Sequence, residues 1–135
     1  MVMSAQTPST FPPTNTRQLL FKGSGLNMQL TTDQTLVKQF IGTNYIPTLI
    51  YVVRKTGGVT VACAGGIYTA ASKGGTAIVA AGQVYTAVTG TLGFIQATIA
   101  ALTVGFSDTP LYLSLTTGST GACTADVFVY GEVID

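Results

Sequence analysis

The segment LYLSLT places Leu111, Leu113 and Leu115 on one face of an extended chain and Tyr112, Ser114 and Thr116 on the other. VTVAC does the same with Val59, Val61 and Cys63. A period of two is the pattern of a strand with one buried face. Two stretches, IPTLIYVV over residues 46–53 and DVFVYGEVI over 126–134, are apolar with few interruptions, as in strands covered on both faces or lying at a subunit contact. RQLLFK (17–22), TLVKQF (35–40), TAIVA (76–80) and FIQATIAAL (94–102) are further strand candidates. Turn signals separate these pieces at KGSG (22–25), TGG (56–58), AGG (64–66), KGG (73–75), AG (81–82), SDTP (107–110) and TTGSTG (116–121). About eight short strands at this spacing predict an all-β antiparallel sandwich or barrel. Only AAGQVYTAV retains a helical reading, of one or two turns, because Gly, Thr and Val are too frequent elsewhere.

Residues 1–16 break the pattern. They hold Pro8, Pro12 and Pro13 among Ser, Thr and Gln, with no charge and almost no apolar periodicity, and they read as an extended, flexible N-terminal arm ahead of a single domain over 17–135. Phe11, Pro12, Pro13 and then Arg17 are the expected contact residues of this arm, because an extended segment covers much surface and gains affinity as it orders. The same stretch has neither a positive n-region nor an apolar core, so the whole chain is expected to be the mature protein, made in a cytoplasm.

Composition narrows the partners. Charged residues are 8% of the chain and the net charge is +1, which leaves no basic field for nucleic acid. Hydrophobic residues are 47%, yet no run reaches the roughly 18 apolar residues of a membrane helix. With 23 threonines and 16 glycines, the exterior is expected to be neutral and Thr-rich. Solubility normally leans on net charge, so such a surface is expected to be covered by copies of itself or by a larger assembly.

Candidate chemistry concentrates in GGIYTAASKGGTAIVAAG, residues 65–82. A Tyr–Lys proton-donating pair needs both side chains on one helical face. Tyr68 and Lys73 are five residues apart and would diverge by roughly 140° on a helix. A phosphate loop needs glycines before its Lys and a helix after it, whereas the order here is Ser72-Lys73-Gly74-Gly75. Glycine-supplied turns at Gly65-Gly66 and over 73–76, with Lys73 solvated at a loop tip, account for the segment. The acids Asp33, Asp108, Asp126, Glu132 and Asp135 show no pairing, and Asp108 reads as a turn residue. There is no His, and Cys63 and Cys123 are the only cysteines, so neither a zinc site nor a His-activated nucleophile can be assembled within one chain. Cytoplasmic synthesis favours two buried thiols over a disulfide. No catalytic, cofactor-binding or metal-binding residue is assigned. The six tyrosines, Tyr45, Tyr51, Tyr68, Tyr85, Tyr112 and Tyr130, read as strand and interface residues, with sugar stacking as the alternative.

Three segments carry a resemblance. Gly65 through Ala71 (GGIYTAA), Leu111 through Thr116 (LYLSLT) and Ala125 through Gly131 (ADVFVYG) resemble segments shared by small virion proteins of tailed bacteriophages, over roughly residues 35–135. The resemblance implies a head-decoration, or cement, protein: a jelly-roll-like β-sandwich, often trimeric, bound where capsomers meet on the outer capsid surface. Its implied partner is the major capsid protein, with a homotrimer favoured. The different function to weigh against it is a receptor- or glycan-binding module of a head fibre or tail tip.

Overall fold

The computed structural model describes residues 17–57, 62–89, 93–100, 106, 107 and 109–134. Among these, nine strands run in chain order: β1 Gln18–Asn27, β2 Gln34–Lys38, β3 Asn44–Gly57, β4 Ala64–Ala70, β5 Gly74–Val79, β6 Phe94–Ala97, β7 Phe106–Ser107, β8 Leu111–Thr117 and β9 Cys123–Val133. A helical turn, α1 Thr86–Thr89, lies between β5 and β6. The fold is all-β and antiparallel, with about eight full strands as the periodicity predicted.

The pairing is nested. β1 pairs with β9, β2 with β8, β3 with β6, and β4 with β5, so the first half of the chain is matched by the second half in reverse order. Cross-pairs β1·β2, β3·β9 and β4·β8 join these into one sheet of order β5-β4-β8-β2-β1-β9-β3-β6, with two-residue β7 on β3. The sheet curls until its ends meet: Val79 on β5 bridges Ile99 just beyond β6, and the Ala100 amide donates to the Ile78 carbonyl at 2.9 Å. Two four-stranded walls result, β1-β9-β3-β6 and β2-β8-β4-β5.

The walls share one core. Leu20, Phe21, Ile50, Val52, Val127 and Val129 from the first wall meet Leu36, Ile67, Leu111, Leu113 and Leu115 from the second, all fully buried. One part of the core is aromatic: Phe21, Phe40 and Tyr45 pack edge-to-face at centroid distances of 5.2 to 5.8 Å, and Phe106 leans on Tyr45. β8 buries Leu111, Leu113 and Leu115 as its alternation predicted, but Ser114, expected on the outer face with Tyr112 and Thr116, is buried as well, at 1% exposed. β9, expected to be covered on both faces or to lie at a subunit contact, is not buried on both faces within the chain but alternates without a break: Cys123, Ala125, Val127, Val129, Gly131 and Val133 point in, while Thr124, Asp126, Phe128, Tyr130 and Glu132 are half-buried on the outside.

Two expected turns are strand. Gly65 and Gly66 lie within β4, where their job is close approach: a Cβ on Gly65 would collide with the Leu115 backbone, and one on Gly66 with the Val79 carbonyl and the Tyr68 ring. KGSG lies within β1, where the register against β9 shifts between Gly23 and Leu26. Gly25, at φ 60°, takes the left-handed conformation such a bulge uses, and its amide donates to Asp126 Oδ1 at 2.7 Å. The VTVAC alternation falls outside the described residues except at its end, where Cys63 is buried.

Candidate functional site

The β4–β5 connection is Ala71-Ser72-Lys73, with Ser72 and Lys73 at the corners of the turn, and Gly74, Gly75 and Thr76 of the glycine turn expected over 73–76 belong instead to β5. Both residues have left-handed backbone, φ 58° and 59°, and the Gly74 amide closes the turn on the Ala71 carbonyl at 3.1 Å. This is the mirror-image turn whose twist matches a hairpin, built without the Asn-Gly that usually occupies it. It is braced from outside: the Ser72 amide donates to Asp33 Oδ2 at 2.7 Å and Lys73 Nζ to the Thr31 carbonyl at 3.2 Å. Lys73 is exposed at the tip as expected, and its ammonium is held by a backbone carbonyl.

Tyr68 is 5% exposed with its ring packed over Gly66, whereas Lys73 is exposed at the hairpin tip with its ammonium donating to the Thr31 carbonyl. A polar groove beside the hairpin is lined by Thr31, Thr32, Asp33, Ser72, Lys73 and Ser114. The Ser114 hydroxyl is buried with no hydrogen-bond partner among the described residues. Asp33 and Asp126 each accept a backbone amide, at Ser72 and Gly25, in separate places; Asp108 and Asp135 lie outside the described residues. Among the described residues no group of three His, Cys, Asp or Glu side chains could hold a metal ion.

Both cysteines are free and buried. Burial, with Cys123 nearby, pushes the Cys63 thiol up to about 11, and burial also raises Cys123 against the opposing pull of Arg54. Neither thiol is activated as a nucleophile. Tyr85 is fully buried with its hydroxyl donating to the Gly65 carbonyl at 3.0 Å, and burial raises its phenol above the ordinary value.

The outer face of β1-β9-β3-β6 carries a different arrangement. Cross-strand register sets Tyr51 opposite Phe128 and Val53 opposite Phe94. Tyr51 and Tyr130 meet edge-to-face at 6.5 Å, and Lys22 Nζ lies 5.5 Å over the Phe128 ring. Tyr51, Val53, Phe94, Phe128 and Tyr130 line a shallow groove of about 380 Å³. Phe94 is 51% and Val53 37% exposed, and the other three are half-buried. Half-exposed aromatic rings clustered on a sheet face, with Lys22 over one of them, have the chemistry of an interface core. The near-continuous apolar runs in β3 and β9 arise because Tyr51, Val53, Phe128 and Tyr130 on this outer face are apolar or aromatic as well. Phe94 carried no such signal, because only its register opposite Val53 brings it into the group.

Of the contact residues expected from sequence, Phe11, Pro12 and Pro13 lie outside the described residues. Arg17 is exposed immediately before β1. Gln18 pairs with Gly131 and Leu19 with Tyr130, so β1 begins beside Tyr130 at the edge of the aromatic groove.

Comparison with protein-family models, with curated proteins and with solved structures found no match. No helix among the described residues is long and apolar enough to cross a membrane.

Proposed function

We propose that this chain is a structural virion protein of the head-decoration, or cement, type, which binds the major capsid protein on the outer surface of a phage head and clamps adjacent capsomers. The observation that carries the proposal is the cluster of partly exposed apolar and aromatic side chains, Tyr51, Val53, Phe94, Phe128 and Tyr130, on one wall of a β-sandwich. Such a surface suits durable contact with protein. We read the nested strand order as that of a jelly roll, an architecture recurrent in capsid and lectin domains. The GGIYTAA, LYLSLT and ADVFVYG segments support the same reading through their resemblance to phage virion proteins.

The mechanism is additive contact. A subunit that touches two capsomers adds interface area at a seam, and several linked contacts hold tightly even where each is weak. Copies associate, with a trimer favoured, and the arm with Phe11, Pro12, Pro13 and Arg17 makes a capsid or neighbour contact. The test is co-sedimentation of purified protein with phage heads that lack it, together with native mass spectrometry. Saturable binding and a persistent trimer support the proposal. Protein left in the supernatant, or a clean monomer at high concentration, defeats it. Deleting residues 2–16 should lower head occupancy while the domain stays folded; unchanged occupancy removes the arm from the mechanism.

The exposed rings also favour one second reading, a glycan- or receptor-binding module of a fibre or tail tip, since aromatic faces stack on sugar rings. Hits on a glycan array with no binding to heads would select it.

A further inference from the structure

We infer that the polar groove beside the β4–β5 turn binds a neutral sugar, held through two adjacent ring hydroxyls by Asp33, Lys73 and the buried hydroxyl of Ser114. The site lies on the wall opposite the aromatic groove and does not rest on the virion reading.

Alternation along β8 sets the Ser114 side chain on the outer face, between Tyr112 and Thr116. It is nevertheless 1% exposed, and its hydroxyl has no hydrogen-bond partner among the described residues. Gly66, opposite it on β4, brings no side chain. On the other flank the register of Gln34 with Leu113 sets Asp33 beside Ser114, but Asp33 Oδ2 accepts from the Ser72 amide at 2.7 Å. A buried hydroxyl left unpaired costs stability that alanine at the same position would not. A polar group kept in that state calls for a partner from outside the chain, either a ligand or an ordered water.

The groove over Ser114 has the chemistry of a ligand site. Thr31, Thr32, Asp33, Ser72, Lys73 and Ser114 line about 320 Å³, at the lower end of the roughly 300–1,000 Å³ of small-molecule sites. An ionised carboxylate accepts at several lone pairs, and the Ser72 amide takes one of those on Asp33. An ammonium has three donors, and Lys73 gives one to the Thr31 carbonyl. One negative and one positive group offset each other, so the groove favours neither an anion nor a cation. A neutral ligand that donates and accepts side by side fits it. On a sugar ring, one hydroxyl donates to Asp33, its neighbour accepts from Lys73, and the Ser114 hydroxyl meets the pair from the floor. Thr31, Thr32, Ser72 and Lys73 are exposed, so the groove opens to solvent, and the long Lys73 side chain can swing aside to admit a hydroxyl. Under the proposed function this wall faces outward, where a sugar can reach it.

Amide NMR titration of the full-length protein with methyl α-glucopyranoside, methyl β-galactopyranoside and methyl α-mannopyranoside tests the inference. At least one should give saturable shifts at millimolar concentration, confined to the 31–33 and 71–74 amides and β8. Ser114→Ala should weaken that binding about fivefold and raise the urea midpoint, because it removes an unpaired buried hydroxyl. A purely structural serine would not show both changes. Asp33→Asn, which can still accept the Ser72 amide, should weaken binding about tenfold with the fold intact. Phe94→Ser on the aromatic wall should leave the shifts unchanged. No saturable shift with any of the three sugars overturns the inference. So do shifts that survive both Ser114→Ala and Asp33→Asn, or shifts lost in Phe94→Ser, which would place the sugar on the aromatic rings. A lower midpoint for Ser114→Ala also overturns it, because an ordered water would then already satisfy the hydroxyl. These readouts use purified protein alone, so they are separate from failure to bind phage heads.

Discussion

The two walls of this sandwich share an interior and differ outside. Behind both lies the same aliphatic core, Val127 and Val129 facing Leu113 and Leu115. Outward, β1-β9-β3-β6 presents Tyr51, Val53, Phe94, Phe128 and Tyr130, whereas β2-β8-β4-β5 presents Thr35, Val37, Tyr112 and Thr116, with Tyr68 folded down over Gly66. Folding requires only the inward residues. The outward residues differ between an aromatic wall and a threonine wall, and under the proposed function the first is the contact side and the second the solvent side.

The largest effect should come from the shared interior. Leu113→Ala removes a fully buried side chain from the core between the walls and should cost about 2–5 kcal/mol, read as a lower urea midpoint at unchanged slope. Gly66→Ala tests the solvent wall alone. The added methyl meets the Val79 carbonyl and the Tyr68 ring, for an expected loss of about 1–3 kcal/mol, and melting unchanged from wild type would show that β4 does not need its glycine there.

Cys63 tests the interior by pH. Its thiol rises from 9.0 to about 11 on folding, because burial disfavours the thiolate. The neutral form is the stabilised one, so this contribution is complete below pH 9.0 and fades as pH rises towards about 11. Urea midpoints across that window should fall for wild type and fall less for Cys63→Ala. Ser72→Asn with Lys73→Gly should raise stability by about 1 kcal/mol, since one side chain leaves left-handed backbone and the other is replaced by one that tolerates it; a loss would mean that the Lys73 brace to Thr31 outweighs that strain. Smallest in stability is Phe94→Ser, within about 0.5 kcal/mol of wild type, although it should weaken association and head binding. Thr116→Ser on the other wall should change neither, and equal losses from both would erase the distinction between the walls.

The sequence made the inward residues legible wherever alternation was clean, as in Leu111, Leu113 and Leu115. β9 was harder. Phe128 and Tyr130 point outward, but as apolar residues they made the strand look buried on both faces, so the contact surface was visible as a run before it was visible as a side. Gly65-Gly66 and Gly23-Ser24-Gly25 were misread as turns because their reasons are remote: the Leu115 backbone in one case, the Asp126 carboxylate in the other. Ser72 and Lys73 bear the left-handed backbone that local rules assign to glycine, and their brace comes from Asp33 and Thr31, about forty residues away in the chain. The nested pairing, and with it the place of Phe94 beside Val53, depends on register between distant strands that no local pattern records.

Oxidative footprinting of the full-length protein tests most directly whether the aromatic wall is a covered contact surface. Tyr51, Tyr130 and Tyr112 are all half-buried in the folded chain, two on the aromatic wall and one on the other, so their labelling can be compared within one sample. The account predicts strong protection of Tyr51, Tyr130 and Phe94 relative to Tyr112 when the protein is bound to phage heads. Equal labelling of the two walls on heads would contradict it.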